Sequence, residues 1–132
     1  MQQDRFSALM AEAHAVRRYA YAPYSHFTIG AAVMGLSGQI FTGVNVENAS
    51  FGLTVCAERN AVFAAVAGGE RRLTSVAISA VDPRTKHAVT PCGACLQVMA
   101  EFMSDDATII LTDGKSCRLS SLLVAPFRLQ NL

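Results

Sequence analysis

Helix-like and strand-like segments alternate along this chain, and the alternation limits the folds open to it. Apolar residues at three- and four-residue intervals between Phe6 and Val16 predict a first amphipathic helix. Segments 28–35 and 39–46 flank Ser37-Gly38 and predict a β-hairpin. The other predicted elements are a helix over 54–67, a strand over 73–82, a helix over 91–103, a strand over 107–113, and a short strand with a helical turn within 117–123. This pattern predicts an α/β fold in which helices cover a sheet.

The predicted helix over 54–67 carries clear end signals. Thr54 is a candidate N-cap, alanines dominate the interior, and Gly68-Gly69 supplies a left-handed stop. These limits place Cys56 and Glu58 in the first helical turn.

Length and composition indicate one domain over residues 1–132. A chain of 132 residues with 52% hydrophobic and 16% charged residues is long enough and apolar enough to bury one sizeable core. No apolar run approaches the length of a membrane span, and the first ten residues lack the basic-then-apolar order of a secretory signal. We therefore expect a cytoplasmic protein with no membrane partner.

The charge pattern argues against nucleic acid as a partner. The formal net charge is +1, and the basic residues are single or paired rather than concentrated in one patch. Four cysteines in a cytoplasmic chain are kept reduced, so their clustering points to metal binding or catalysis before disulfides.

Three of the four cysteines stand at predicted helix starts. Cys92 and Cys95 have the C-x-x-C spacing that lets two thiolates reach one metal ion, and Cys56 opens another helix. No fourth protein ligand is evident, and catalytic zinc sites keep their fourth position for water or substrate. We expect one Zn²⁺ per chain.

Two charged residues follow Cys56 directly. Glu58 is placed to take a proton from a water beside the metal, although glutamate is also common in first helical turns because of the helix dipole. Arg59 is placed to donate to the thiolate sulfurs and offset their charge, the alternative being a solvated surface arginine.

The combination of C-A-E at 56–58 and P-C-G-A-C at 91–95, with Y-A-P-Y-S-H-F and N-V-E-N upstream, resembles the zinc-dependent cytidine deaminases of the small homotetrameric type. The resemblance covers most of the chain. It implies a three-layer α/β/α fold with a mixed five-stranded sheet, and a homotetramer whose sites are shared between subunits.

The resemblance also implies roles for the metal-site residues. Cys56, Cys92 and Cys95 match the zinc ligands, and Glu58 matches the proton shuttle that activates water, protonates the pyrimidine N3 and delivers a proton to the departing amine.

Further matches concern the nucleoside. Asn45 and Glu47 match residues that bind the ribose 3′-hydroxyl, Phe27 matches an aromatic ring that packs on the base, and the backbone of Ala57 matches the group that receives the pyrimidine edge. Phe127 matches an aromatic residue that reaches a neighbouring subunit's site, with packing in its own subunit as the alternative.

The sequence departs from the family pattern in two places. Leu96 stands where family members commonly have arginine after the last ligand cysteine, and L-L-V-A-P-F replaces the usual L-L-P-G-A-F. Arg59 would then carry more of the charge compensation. Cys117 receives no function and is interpreted as a buried or partly buried free thiol.

The resulting hypothesis is hydrolytic deamination of cytidine and 2′-deoxycytidine in pyrimidine salvage. A deaminase of the same fold acting on a modified cytosine nucleoside, or on an antibiotic like blasticidin S, is the nearest alternative. A non-catalytic zinc-stabilised module and a dithiol redox protein using Cys92 and Cys95 are alternatives from other classes.

Overall fold

A computed structural model describes residues 2–129. Its elements, in chain order, are α1 (Gln2–Val16), a 3₁₀ turn (Arg17–Tyr19), β1 (Gly30–Gly35), β2 (Ile40–Val44), a 3₁₀ turn (Phe51–Leu53), α2 (Ala57–Ala67), β3 (Leu73–Ser79), α3 (Gly93–Phe102), β4 (Met103–Ile110), β5 (Ser116–Arg118) and α4 (Leu119–Leu122).

The five strands form one mixed sheet in the order β2-β1-β3-β4-β5. The β3–β4 pair is parallel and the other three pairs are antiparallel. A parallel pair needs a crossover connection, and α3 supplies it between β3 and β4. The predicted mixed five-stranded sheet and the predicted β1–β2 hairpin are both confirmed.

Helices cover both faces of the sheet. On one face, Leu9 and Ala13 of α1 pack with Ala32 and Ala77 of the sheet. Because side chains alternate along a strand, the neighbours of Ala32 and Ala77 point to the other face, where α2 and α3 lie. The main core there includes Val33, Val62, Val76, Ile78 and Met99. This is the predicted three-layer α/β/α arrangement.

The start of α2 differs from the prediction. Thr54 is not the N-cap; Cys56 is, with an extended backbone (φ −70°, ψ 154°). After the 3₁₀ turn the chain is extended from Thr54 to Cys56, because the backbones of Val55 and Val46 exchange two 3.0 Å hydrogen bonds. The hydroxyl of Thr54 accepts instead from the Asn48 backbone N–H at 3.1 Å.

Two other element boundaries differ in detail from the sequence prediction. The predicted glycine stop of α2 is confirmed, but only Gly69 has a left-handed backbone (φ 96°). Helix α3 ends at Phe102, and β4 begins at Met103 rather than near Ala107, because Met103 is buried and pairs with Leu73.

Within residues 2–129, none of the helices combines the length and the apolar character needed to span a membrane.

Candidate active site

The three predicted metal ligands lie together. Cys56 is the N-cap of α2, Cys92 is the N-cap of α3, and Cys95 lies in the first turn of α3. The Sγ atoms of Cys56 and Cys92 are 3.9 Å apart, those of Cys92 and Cys95 are 3.4 Å apart, and all three lie within 4.8 Å of one another. Tetrahedral zinc with Zn–S bonds of about 2.3 Å needs sulfurs about 3.8 Å apart. The trio is therefore positioned to bind one zinc ion.

The helix starts favour thiolates at these positions. The Cys95 backbone N–H points at Cys92 Sγ, 3.5 Å away, as in an ordinary N-cap. The positive ends of α2 and α3 also lower the free energy of a nearby negative charge.

The sulfurs are electrostatically linked. Hydrogen bonding from the Cys95 thiol, with a further contribution from Arg59, lowers the pKa of Cys56 to about 5. The same Cys56 thiolate, together with burial, raises the pKa of Cys95. The sulfurs therefore cannot all be ionised at low cost. A cation among them would stabilise all three thiolates, which matches the chemistry of a metal site.

Arg59 lies beside one sulfur of the trio. Its Nη2 lies 3.5 Å from Cys56 Sγ, and the thiolates raise the pKa of its guanidinium further. The Arg59 side chain therefore contacts a cysteine sulfur of the trio.

Glu58 is the most unusual residue of the site. It is only 5% exposed, and burial raises the pKa of its carboxyl group to about 7. Within residues 2–129, only two buried side-chain polar atoms lack a hydrogen-bond partner: Glu58 Oε1 and Arg59 Nε. An unpaired buried carboxylate oxygen is costly and is a mark of a functional site.

The predicted ribose contacts, Asn45 and Glu47, both hold the loop before β1. The Asn45 side chain accepts from the Ile29 backbone N–H at 2.8 Å and donates to the Phe27 carbonyl at 2.7 Å. One Glu47 oxygen accepts from the backbone N–H groups of Tyr24 and Ser25, at 3.0 and 3.1 Å.

The remaining predicted residues occupy different surroundings. Ala57 is fully buried in the main core, and Phe27 is half-buried against that same core. Phe127 is 70% exposed, so packing within its own subunit does not cover its ring. Leu96 is buried in the main core, and Cys117 is half-buried on β5, in keeping with a partly buried thiol.

Sequence reasoning missed two residues that organise this region. The Ser25 hydroxyl donates to Glu47 Oε2 and accepts from the Phe27 backbone N–H. The Gln97 amide binds the backbone of Phe127 twice, at 2.8 and 3.2 Å. Ser25 stands in the Y-A-P-Y-S-H-F motif and Gln97 follows Cys95 by two residues, but no spacing rule links either of them to its distant partner.

An open cavity of about 340 Å³ lies beside Glu47. Its lining comprises Tyr24, Ser25, Glu47, Phe51 and Thr54.

Comparison with known proteins gives a consistent result. The family model of the cytidine and deoxycytidylate deaminase zinc-binding region matches residues 3–112. A cytidine deaminase of Halalkalibacterium halodurans is 42% identical, over 94% of this chain and 95% of the relative. A probable cytidine deaminase of Dictyostelium discoideum is 39% identical, over 96% of this chain and 84% of the relative.

Solved structures agree in fold. The crystal structure of cytidine deaminase from Burkholderia pseudomallei superposes with a TM-score of 0.84 at 41% identity, covering 92% of this chain and 98% of that one. The enzyme from Mycobacterium tuberculosis superposes with a TM-score of 0.83 at 38% identity, covering 94% of this chain and 98% of that one. With the three-thiolate site and the shared fold, these matches show that the chain belongs to the zinc-dependent cytidine and deoxycytidylate deaminase family.

Proposed function

We propose that this protein catalyses the hydrolytic deamination of cytidine and 2′-deoxycytidine to uridine and 2′-deoxyuridine, with release of ammonia. The observation that carries the proposal is the buried Glu58 carboxylate with an unpaired oxygen, two residues from a three-sulfur metal site. The chain matches 95% and 84% of two relatives that are named cytidine deaminase and probable cytidine deaminase. These matches support the substrate class. Free nucleoside substrates would place the reaction in pyrimidine salvage.

The proposed chemistry divides between the metal ligands and Glu58. Cys56, Cys92 and Cys95 would hold Zn²⁺, which when bound supplies the positive charge that makes water acidic enough to react near neutral pH. Glu58 would accept a proton from that water and return it to N3 of the base. The water oxygen would add to C4 of the base, and Glu58 would carry the water's second proton to the amine, which would leave as ammonia. Burial raises the pKa of the Glu58 carboxyl in the metal-free protein, which favours a protonated form that can donate to the substrate.

The proposed nucleoside contacts are Asn45 and Glu47 for the ribose 3′-hydroxyl, Phe27 for the base, and the Ala57 backbone for the pyrimidine edge. Glu47 lines the open cavity, and both Asn45 and Glu47 bind the loop that carries Phe27. A site with polar groups prepared for a sugar hydroxyl would discriminate strongly against analogues that lack it.

We also propose that the protein assembles as a homotetramer in which Phe127 reaches a neighbouring subunit's site. Large apolar side chains are exposed near the predicted nucleoside residues and in the C-terminal segment, which supports subunit contacts there. They include Tyr21, Tyr24, Phe51, Leu53, Val124 and Phe127. Sedimentation of the purified protein tests this, because a monomer would remove the proposed role of Phe127.

Incubation of the zinc-loaded protein with cytidine tests the activity. We expect loss of cytidine absorbance with one ammonia released per uridine formed. 2′-Deoxycytidine should be turned over too, whereas deoxycytidylate and blasticidin S serve as comparison substrates. Turnover of a comparison substrate with none of cytidine would reject the proposal in favour of another deaminase activity.

A further inference from the structure

A small hydrogen-bond network surrounds Glu47. The Ser25 hydroxyl donates to Glu47 Oε2, and the N–H groups of Tyr24 and Ser25 both donate to Oε1. Ser25 Oγ in turn accepts from the Phe27 backbone N–H at 3.0 Å. One serine therefore contacts both the predicted ribose acceptor and the backbone of the residue predicted to pack on the base.

This network fixes the orientation of the Glu47 carboxylate. Each carboxylate oxygen has two lone pairs, so the two N–H donors fill Oε1, and the Ser25 hydroxyl takes one position on Oε2. One acceptor position on Oε2 is left for a further donor. The hydrogen bonds from Ser25 also lower the pKa of Glu47, so the group remains an ionised acceptor at neutral pH.

The backbone between Ser25 and Phe27 is strained. His26 has a φ of 59°, a conformation that side-chain-bearing residues seldom adopt. The bond from the Phe27 N–H to Ser25 Oγ spans His26, and the bond from the Ser25 hydroxyl to Glu47 holds that serine in place. Ser25 and Glu47 also line the same open cavity of about 340 Å³.

We propose that Ser25 is a positioning residue that aims the free acceptor position of Glu47 at the 3′-hydroxyl of a nucleoside. Ser25 acts through Glu47 and takes no part in the chemistry at C4. This inference rests on the proposed nucleoside deamination and extends it, because it assigns the discrimination for a 3′-hydroxyl to a residue outside the ribose-binding pair.

The test compares cytidine with 3′-deoxycytidine as substrates of the wild type and of Ser25→Ala. We expect the wild type to prefer cytidine by at least about 10-fold in kcat/KM, because 3′-deoxycytidine lacks the hydroxyl that Glu47 would bind. In Ser25→Ala this preference should fall several-fold, because kcat/KM drops for cytidine and hardly changes for 3′-deoxycytidine. The ratio of two substrates in one sample does not depend on the fraction of active protein, so general damage to the fold would leave it unchanged.

Ser37→Ala is a matched control. The Ser37 hydroxyl also contacts a glutamate oxygen, that of Glu70, and accepts from a backbone N–H two residues later, that of Gln39. This second network lies at the β1–β2 turn, so its loss should leave the substrate ratio at the wild-type value. Ser25→Gly removes the same hydroxyl as Ser25→Ala and should reproduce the reduced ratio.

The outcomes separate the inference from the proposed function. A wild type that does not turn over cytidine removes both. A wild type that deaminates both nucleosides equally well, or Ser25→Ala and Ser25→Gly variants that keep the full preference, overturns the role of Ser25 and leaves the deaminase activity standing.

Discussion

Gly43 of β2 lies against the backbone of Ala61 in α2 with no room for a side chain. A Cβ at Gly43 would be 2.3 Å from the Ala61 nitrogen and 2.6 Å from the Ala57 carbonyl oxygen. Both contacts are with helix backbone, which cannot move aside alone. Glycine at this position therefore lets the helix that carries Glu58 pack directly on the sheet.

Gly43→Ala should displace α2 and weaken both stability and catalysis. We expect a loss of about 1–3 kcal/mol in the free energy of unfolding, typical of overpacking. The activity should fall further than this loss explains, because Cys56 and Glu58 move with the helix. Urea denaturation and cytidine turnover measure the two effects. Gly52→Ala is the control, since a Cβ there meets nothing within 4 Å; equal effects of the two substitutions would contradict the packing argument.

Glu58→Gln should abolish turnover while zinc is retained. The amide keeps the shape of the side chain but cannot accept and return a proton, and general acid-base groups contribute about 10²–10⁴-fold to rate. Steady-state kinetics and metal analysis of the same sample measure both properties. Glu101→Gln, on the exposed side of α3, should behave as the wild type. A Glu58→Gln variant with full activity would exclude the proton shuttle.

Cys95→Ser should reduce bound zinc well below one ion per chain. Cys95 is fully buried between the other two sulfurs and the core, so a hydroxyl there replaces a strong ligand with a weak one. Cys117→Ser removes a cysteine that lies outside the trio and should leave the zinc content unchanged. If the wild type held no zinc and instead cycled between dithiol and disulfide, the redox alternative would replace the present interpretation.

Asn45→Ala should destabilise the fold as well as weaken binding. The side chain is 6% exposed and satisfies two backbone groups of the loop before β1. Leaving such backbone groups unpaired costs about 1–3 kcal/mol each, so we expect a total loss of roughly 2–6 kcal/mol. Asn48→Ala, in the same N-V-E-N stretch, removes one exposed hydrogen bond, from the Ser50 N–H at 2.9 Å, and should lose about 1 kcal/mol or less. Thermal unfolding of the two variants side by side decides whether Asn45 has this structural role.

The raised pKa of Glu58 predicts a pH dependence of stability after the metal is stripped with a chelator. The folded-state pKa is about 7 and the ordinary value is 4.5. Above pH 7 the carboxylate is ionised in both states, and its burial is then fully destabilising. As the pH falls from 7 to 4.5, the folded state binds the proton first and gains stability. Relative to Glu58→Gln, the stripped wild type should gain roughly 3 kcal/mol over this range. Parallel denaturation curves of the two proteins at several pH values measure the gain, and identical pH profiles would show that Glu58 is not buried as described.

The elements of the fold were largely predictable because their signals are local. Apolar spacing over residues 6–16 indicates a helix whichever surface that helix covers, and Ser37-Gly38 indicates a turn without knowledge of the partner strand. The wrong N-cap at Thr54 has a non-local cause. Val55 pairs with Val46, nine residues earlier, and this bridge holds the chain extended until Cys56.

By itself, the sequence determined the chemistry of the site: three thiolates without a fourth ligand, one glutamate beside them, and the motifs of a family. Only the tertiary structure decided how these groups meet. Cys56 and Cys92 are 36 residues apart, yet α2 and α3 pack on one face of the sheet and bring their sulfurs to 3.9 Å. The structure likewise tied Ser25 to Glu47 and Gln97 to Phe127. Periodicity and spacing indicate which residues are buried and which could bind a metal or carry a proton. Which residues these groups contact depends on the packing of distant segments.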